Sequence, residues 1–316
     1  MPQISVIVLT YNPDETKLRQ TLSAIAAQEG ISFELIIGDD GSPRKDFAFL
    51  PDFLRGLEIE SYQLLDHKEN RGTVQNCIAA IQAATGKYVF LTSPGDLLFD
   101  PFVLRDFYQF AENNNAQLCF GNAVFYAKSG QRPVLTRTVG NPAQPKLYAP
   151  EKNLRTVNTA FFGGSWIIGA SYFRTRDLAL KTLTQIADTS KYVEDTTSTV
   201  AALVEGHRIY YYDRNIVWYE DGTGVSTSGN NKWDQILRQD IQQSFAKAKK
   251  QHPKNPYVDV AYRNIMENNR LRRILGNLLR HPIIMTRLMY LRKTEHSPIH
   301  CSSNDIERLA QMLNNA

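Results

Sequence analysis

Cysteine is scarce in this chain of 316 residues: Cys77, Cys119 and Cys301 are far apart, odd in number and without a C-x-x-C pair. Neither a disulfide framework nor a cysteine zinc site is expected, and a reducing compartment fits best. Long hydrophobic runs are missing too, since no stretch approaches the ~20 apolar residues of a spanning helix. The apolar start is interrupted by Ser5, ends at Leu9 and has no basic residue ahead of it, which is too short for a signal peptide. These absences predict a cytoplasmic protein whose membrane contact, if any, is peripheral. Net charge is also small: 36 Lys and Arg against 32 Asp and Glu leave +4, with no nucleic-acid motif beside it, so no nucleic-acid partner is expected. The charge is uneven, however. Residues 230–316 hold 15 basic and 7 acidic side chains, a net +8, which leaves −4 for residues 1–229. Internal repeats and low-complexity tracts are absent.

What is present is ordinary globular material, 42% hydrophobic and 22% charged, enough for a sizeable core. The length allows two domains, or one large α/β domain with an appendage. Residues 3–10 read as a buried strand, and residues 16–28 as a helix with Leu18, Leu22 and Ile25 on one face. A second apolar run at 33–38 ends in the turn cluster Asp39-Asp40-Gly41-Ser42. A strand at 57–65, a helix at 73–84 and a strand at 87–92 continue the alternation. Such a series predicts a doubly wound sheet with its crevice at the C-terminal strand ends. Polar clusters at those ends (Thr10-Tyr11-Asn12, Asp39-Asp40, residues 66–72 and 93–96) are expected to converge. The second half suggests a strand at 117–126, helices at 174–187 and 195–204, and a strand pair at 208–212 and 216–219. A Gly- and Ser-rich loop at 220–231 follows, then a basic helical pattern from Lys232.

An aspartate pair directly after a buried strand puts acceptor-only oxygens at the sheet edge, where a ring N–H or ribose hydroxyl can donate to them. Alone, it is equally a polar turn closing a strand. Here it accompanies the opening strand Ile4-Ser5-Val6-Ile7-Val8-Leu9-Thr10-Tyr11-Asn12, and further on Asn70-Arg71-Gly72-Thr73-Val74-Gln75-Asn76 and Thr85-Gly86-Lys87-Tyr88-Val89. In this order the motifs resemble the family 2 glycosyltransferases, closely over residues 3–101 and more loosely over about 160–227. The resemblance implies an α/β fold of the GT-A type, a Rossmann-like mixed sheet that binds a nucleotide-sugar and is flanked by helices. It further implies that Thr10, Tyr11, Asn12 and Asp40 cradle the base and ribose of a UDP-sugar, with Asp40 accepting from the uracil ring. Asn70, Gly72 and Asn76 would line the same crevice, although a capping or solvent-facing helix position is the alternative for Asn76.

A leaving nucleoside diphosphate carries concentrated negative charge, which Mg²⁺ or Mn²⁺ held by carboxylates can neutralise. The family supplies these from an Asp-x-Asp motif after the strand at 87–92. This chain reads Leu91-Thr92-Ser93-Pro94-Gly95-Asp96, so Asp96 is the one expected metal ligand, with a plain tight turn as the alternative. Inverting sugar transfer also needs a carboxylate to take the acceptor's proton. Tyr192-Val193-Glu194-Asp195-Thr196-Thr197 opens a helix, and by the resemblance Asp195 is the general base and Glu194 its neighbour. An acidic first turn serving only the helix is the other reading; in either case the dipole is expected to keep both side chains ionised.

On the acceptor side, Trp166 within Gly163-Gly164-Ser165-Trp166 can offer a stacking platform for a sugar ring or simply fill the core. Trp218 opens a segment, through Ser226, that resembles the family's closing loop, with an uncommitted surface loop as the alternative. The region 268–293 alternates Leu and Ile with Arg, a pattern that suits either an anionic leaflet or packing onto the catalytic part. The expectation is a catalytic domain over residues 1–230 and a basic helical extension over 231–316. The expected activity is inverting transfer of a hexose or N-acetylhexosamine from a UDP-sugar to a cell-surface glycan or lipid-linked oligosaccharide, at the inner face of the cell membrane. A nucleotide-sugar-binding subunit that has lost catalysis is the alternative.

Overall fold

A computed structural model describes residues 2–314 except Lys45, Glu60, Gly130, Gln131, 223–230, Thr294 and Glu295. The first strand, β1 (Ile4–Thr10), is apolar along almost its whole length and buried on both faces, as a central parallel strand must be. Helix α1 (Glu15–Ala26) starts where the Asp14 side chain accepts from Lys17 N at 3.0 Å. The alternation continues through β2 (Phe33–Asp39), α2 (Leu50–Gly56), β3 (Tyr62–Asp66), α3 (Thr73–Ala83) and β4 (Tyr88–Thr92). Next come β5 (Leu97–Leu98), α4 (Val103–Asn113), β6 (Leu118–Ser129), β7 (Arg132–Leu135), α5 (Leu154–Phe162) and β8 (Tyr172–Thr175). The order then runs α6 (Arg176–Ile186), α7 (Glu194–Val204), β9 (Tyr210–Glu220), α8 (Asn231–Gln251), α9 (Pro256–Met266), α10 (Arg270–Arg280), α11 (Pro282–Leu291) and α12 (Ser303–Asn314).

The strands form one sheet in the order β3-β2-β1-β4-β8-β6-β9-β5, with β7 on β6. Strands β3, β2, β1 and β4 are parallel, as the alternation predicted. Beyond β4 the sheet turns mixed, because β8 runs antiparallel to both β4 and β6. The register aligns Thr10 with Asp39, Asp39 with Asp66 and Val8 with Thr92, so the polar clusters do meet at one edge.

Three local expectations need correction. The third strand begins at Tyr62 and not at Leu57, which instead caps the end of α2, a helix that was not foreseen. Arg174 is not the start of a helix but lies in β8, where pairing with Val89 overrides local helical spacing. The expected strand pair is the single strand β9, whose polar centre is absorbed by a register shift against β6 near Asn122.

Alternate β1 residues enter opposite layers. Ile4, Val6 and Val8 pack with Leu18, Leu22 and Phe107, while Ile7 packs with α3 and α6 through Val74, Ile78 and Leu183. A third cluster joins Phe120, Phe161 and Tyr211 to Phe245, Val258 and Leu291. Side chains from both sides of residue 230 therefore share one core, and Leu309 of α12 returns to the layer of α1.

Candidate active site

At the edge formed by the ends of β1 and β2, Thr10 Oγ1 donates to Asp39 Oδ1 at 3.0 Å. Asp39 also accepts from Ser42 N (2.9 Å) and Ser42 Oγ (2.5 Å), and Ser42 Oγ in turn accepts from Asn12 N at 2.6 Å. Asn12 sits at φ 48°, which turns the chain sharply after the strand. Asp39 thus braces the loop, while Tyr11, half exposed, and the exposed Asn12 stand beside the crevice. Asp40 is buried, and its two oxygens accept from Arg71 N and Gly72 N, both at 2.8 Å. Its carboxylate therefore already holds the segment leading into α3, and the second lone pair of each oxygen remains for a donor. Asn70 is exposed next to that segment. Asn76 is not a crevice residue. It is buried under β2, its Nδ2 donating to Gly38 O at 2.8 Å, which seats α3 on the sheet.

The same segment abuts the acid pair. Gly72 lies at φ 91°, and a Cβ there would come within 2.3 Å of Lys191 Cγ, so only glycine allows this approach. Val74 N donates to Lys191 O at 3.0 Å. Residues 190–193 are in turn held by Asp240 of α8, whose Oδ2 accepts from Lys191 N (2.9 Å), Tyr192 N (2.6 Å), Val193 N (3.2 Å) and Ser190 Oγ (3.3 Å). Glu194 and Asp195 follow as the first turn of α7, and Asp195 Oδ1 accepts from Thr196 N. Gly169 lies against them, and a Cβ there would fall 2.6 Å from Glu194 Oε1.

Burial dominates the electrostatics of this pair and pushes both carboxyls above their ordinary range; Asp195 raises Glu194 further, and Arg174 counters the rise at both. Burial thus works against the ionised form that the helix start was expected to favour. Arg174 is buried, with Nη1 donating to Ser198 Oγ at 3.0 Å. Its guanidinium is the cation that offsets the pair.

Asp96 closes a turn pinned to α1: Thr21 Oγ1 accepts from Gly95 N and donates to Asp96 O, each at 3.0 Å. Burial pushes the Asp96 carboxyl up to about 7, a backbone hydrogen bond at Ser93 and Lys17 oppose the shift, and Glu220 adds to it. Lys17 Nζ sits 2.6 Å from Glu220 Oε2. Among the described residues no three His, Cys, Asp or Glu side chains are grouped to hold a metal ion. The donor set fits a cation that takes one protein carboxylate and completes its shell from phosphate and water.

The two tryptophans part company. Trp218 is a core residue, fully buried, stacked on Phe99 at 4.6 Å between centroids and donating to Phe99 O, so its indole does not reach an acceptor. Apolar flanks on both sides of β9 draw it inward. Trp166 is half-buried, lines a cavity of ≈260 Å³ with Gln144, Leu288 and Arg292, and its indole N–H has no partner among the described residues. Of the expected closing loop, residues 223–230 lie outside the described residues; Asp221, just before them, is anchored by Arg137 at 2.9 Å.

The model of the Glycosyl transferase family 2 matches residues 5–174. The chain belongs to glycosyl transferase family 2. Among solved structures, S. aureus TarS residues 1–349 in complex with UDP-GlcNAc superposes with a TM-score of 0.57 at 17% identity, covering 99% of this chain and 91% of that one. The mannosyltransferase PcManGT from Pyrobaculum calidifontis, in complex with GDP-Man and Mn²⁺, gives 0.58 at 16% identity over 98% and 79% of the two chains. A longer TarS chain matches at 0.56 and 16% identity, and of that chain only 55% is spanned. These likenesses agree with the expected fold, a mixed sheet of GT-A type with helices on both sides and a helical C-terminal extension.

Four residues of this candidate site escaped sequence reasoning. Ser42 closes the turn cluster after the second strand, where no role was expected of it. Lys17 lies unremarked within the helix expected at 16–28, and Arg174 begins the helix expected at 174–187. Asp240 is one acid on a basic helix, 45 positions from Asp195 in the numbering, and nothing local marks it.

Proposed function

We propose that this protein is an inverting glycosyltransferase that moves a hexose or N-acetylhexosamine from a UDP-sugar to a hydroxyl of a cell-surface glycan acceptor, lipid-linked, working peripherally at the inner face of the cell membrane. The observation that carries this reading is the unbroken contact path from Asp40 through Arg71 and Gly72 to Lys191 and on to Glu194 and Asp195. A nucleotide cleft and a buried acid pair are thereby built as one body. Thr10, Tyr11, Asn12 and Asp40 hold base and ribose, and Asn70 and Gly72 border them. Asp195 takes the acceptor hydroxyl proton while the new C1–O bond forms and the C1–O bond to UDP breaks on the opposite face. Arg174 tunes the pair and Glu194 orients the acceptor. Asp96 would hold Mg²⁺ or Mn²⁺, which when bound neutralises the diphosphate as it leaves. Trp166, at the wall of its cavity, serves the acceptor.

A panel of UDP-sugars, with and without Mn²⁺, tests the reading by UDP release. Asp195→Asn should keep UDP binding and lose roughly 10²–10⁴-fold in transfer, the usual contribution of a general base. Donors left intact by the wild-type protein would sink it. The second reading, a nucleotide-sugar-binding subunit with lost catalysis, is favoured by the Lys17–Glu220 ion pair, which engages the other carboxylate near Asp96. It predicts UDP binding with no turnover in either form.

A further inference from the structure

Helix α10 is mounted inside out. The side turned to α9 is polar: Asn277 is fully buried, its Nδ2 donating to Asn264 Oδ1 at 3.0 Å, and Arg273 reaches Asn264 O at 3.5 Å. The apolar residues Leu271, Ile274, Leu275, Leu278 and Leu279 form one stripe at helical spacing and lie in solvent, Leu279 at 82% exposure. After the turn at His281, α11 divides its apolar residues. Met285, Leu288 and Leu291 are buried, while Ile283, Met289 and Tyr290 are exposed. The turn is braced where Asp259 takes His281 Nε2 at 2.8 Å and Lys249 Nζ at 2.5 Å. An exposed apolar surface of this extent on a braced hairpin needs a cover.

Charge selects the cover. Residues 268–293 contain seven Arg and Lys and no Asp or Glu. A second copy docked through the same face would bring two cationic surfaces together without an acid to pair them. An anionic leaflet accepts the apolar stripe below its phosphates and gains from each basic side chain near them. We propose that the α10–α11 hairpin is an interfacial membrane anchor. It inserts Leu271, Leu275, Leu279 and Ile283 at the headgroup boundary of anionic phospholipid, with Arg272 and Arg280 at the phosphates. The anchor deepens the peripheral part of the proposed function and does not depend on the donor chemistry.

The full chain is tested by co-sedimentation with phosphatidylglycerol/phosphatidylcholine vesicles and with phosphatidylcholine vesicles alone. Binding is expected to the first, at least tenfold weaker to the second, and weaker in high salt. L275D/L279D should lower it at least tenfold, and R272Q/R280Q should remove most of its salt dependence. All four side chains are exposed or nearly so, and melting temperature and UDP binding should stay as in the wild type. Wild-type protein that ignores the vesicles overturns the proposal, as does vesicle binding that L275D/L279D leaves intact. A wild-type dimer that L275D/L279D dissociates, without vesicle binding, assigns the face to a second copy and also overturns it. Absence of UDP binding or turnover would strike the glycosyl-transfer reading and leave the vesicle result standing.

Discussion

Replacing Asp240 probes whether the C-terminal extension is part of the catalytic unit. One buried carboxylate oxygen receives three backbone N–H groups and the Ser190 hydroxyl, all from the four residues directly before the acid pair. Asp240→Asn can keep an acceptor in place but forfeits the charge. Charge-assisted hydrogen bonds are about twice as strong as neutral ones, and two of the contacts, at 2.6 and 2.9 Å, are short enough to count fully. At about 1 kcal/mol lost for each, the substitution should cost about 2 kcal/mol. Asp240→Ala leaves the donors unpaired; Lys191 is exposed and can turn to water, so the cost should be about 3–5 kcal/mol. The catalytic effect should exceed the loss of UDP binding, because the freed segment ends at Glu194 and an error of ~1 Å in a reacting group costs about 10²-fold. Urea denaturation reads the first quantity, and turnover and UDP titration read the second. The reasoning is refuted if Asp240→Asn unfolds within about 0.5 kcal/mol of wild type, the scatter of ordinary surface substitutions, and turns over at the wild-type rate.

Three more outcomes follow from the site and the core. Burial raises the acid pair, so the proposed base is protonated at low pH, and the acid limb of the kcat/KM profile should lie above the ~4 of an exposed carboxylate. Arg174→Met removes the opposing cation and should move that limb further up; an unmoved limb would show that Arg174 does not tune the pair. Truncation after residue 230 strips Phe245, Val258, Leu291 and Leu309 from their clusters. At about 1.5–3 kcal/mol per buried side chain the loss is about 6–12 kcal/mol, comparable to the ~5–15 kcal/mol stability of a whole domain. The 1–230 fragment should therefore fail to show a cooperative melt by circular dichroism, and a sharp transition near that of the full chain would contradict this.

Much of the polar sheet edge could be read from residues alone. Buried parallel strands have an unmistakable apolar run, and their polar endings share an edge because the register of a parallel sheet puts them there. Thr10, Asp39, Asp66 and Thr92 meet for that reason. The glycine at 72 was visible as a motif, but its cause, the backbone pressed against Lys191, was not. Asn76 and Trp218 misled because a motif position or a neighbouring loop says nothing about which way a side chain faces. Helix spacing likewise could not tell that the apolar side of α10 looks outward, since the periodicity is the same in both orientations.

The sequence by itself determined the β1-α1-β2 opening, the edge on which polar groups collect, the acid pair at a helix start and the cationic C-terminal third. All of these are local: period, turn chemistry and charge act over a few residues. Tertiary structure alone decided that Asp240 grips the segment before Glu194, that Arg174 is buried where it offsets the pair, and that residues on both sides of position 230 share core clusters. Those outcomes depend on side chains tens of residues apart meeting in space, and a partner at that separation leaves no mark on the local pattern of either residue. Desolvation of Glu194 and Asp195 is the clearest case, because it depends on everything packed around them and not on their own segment alone.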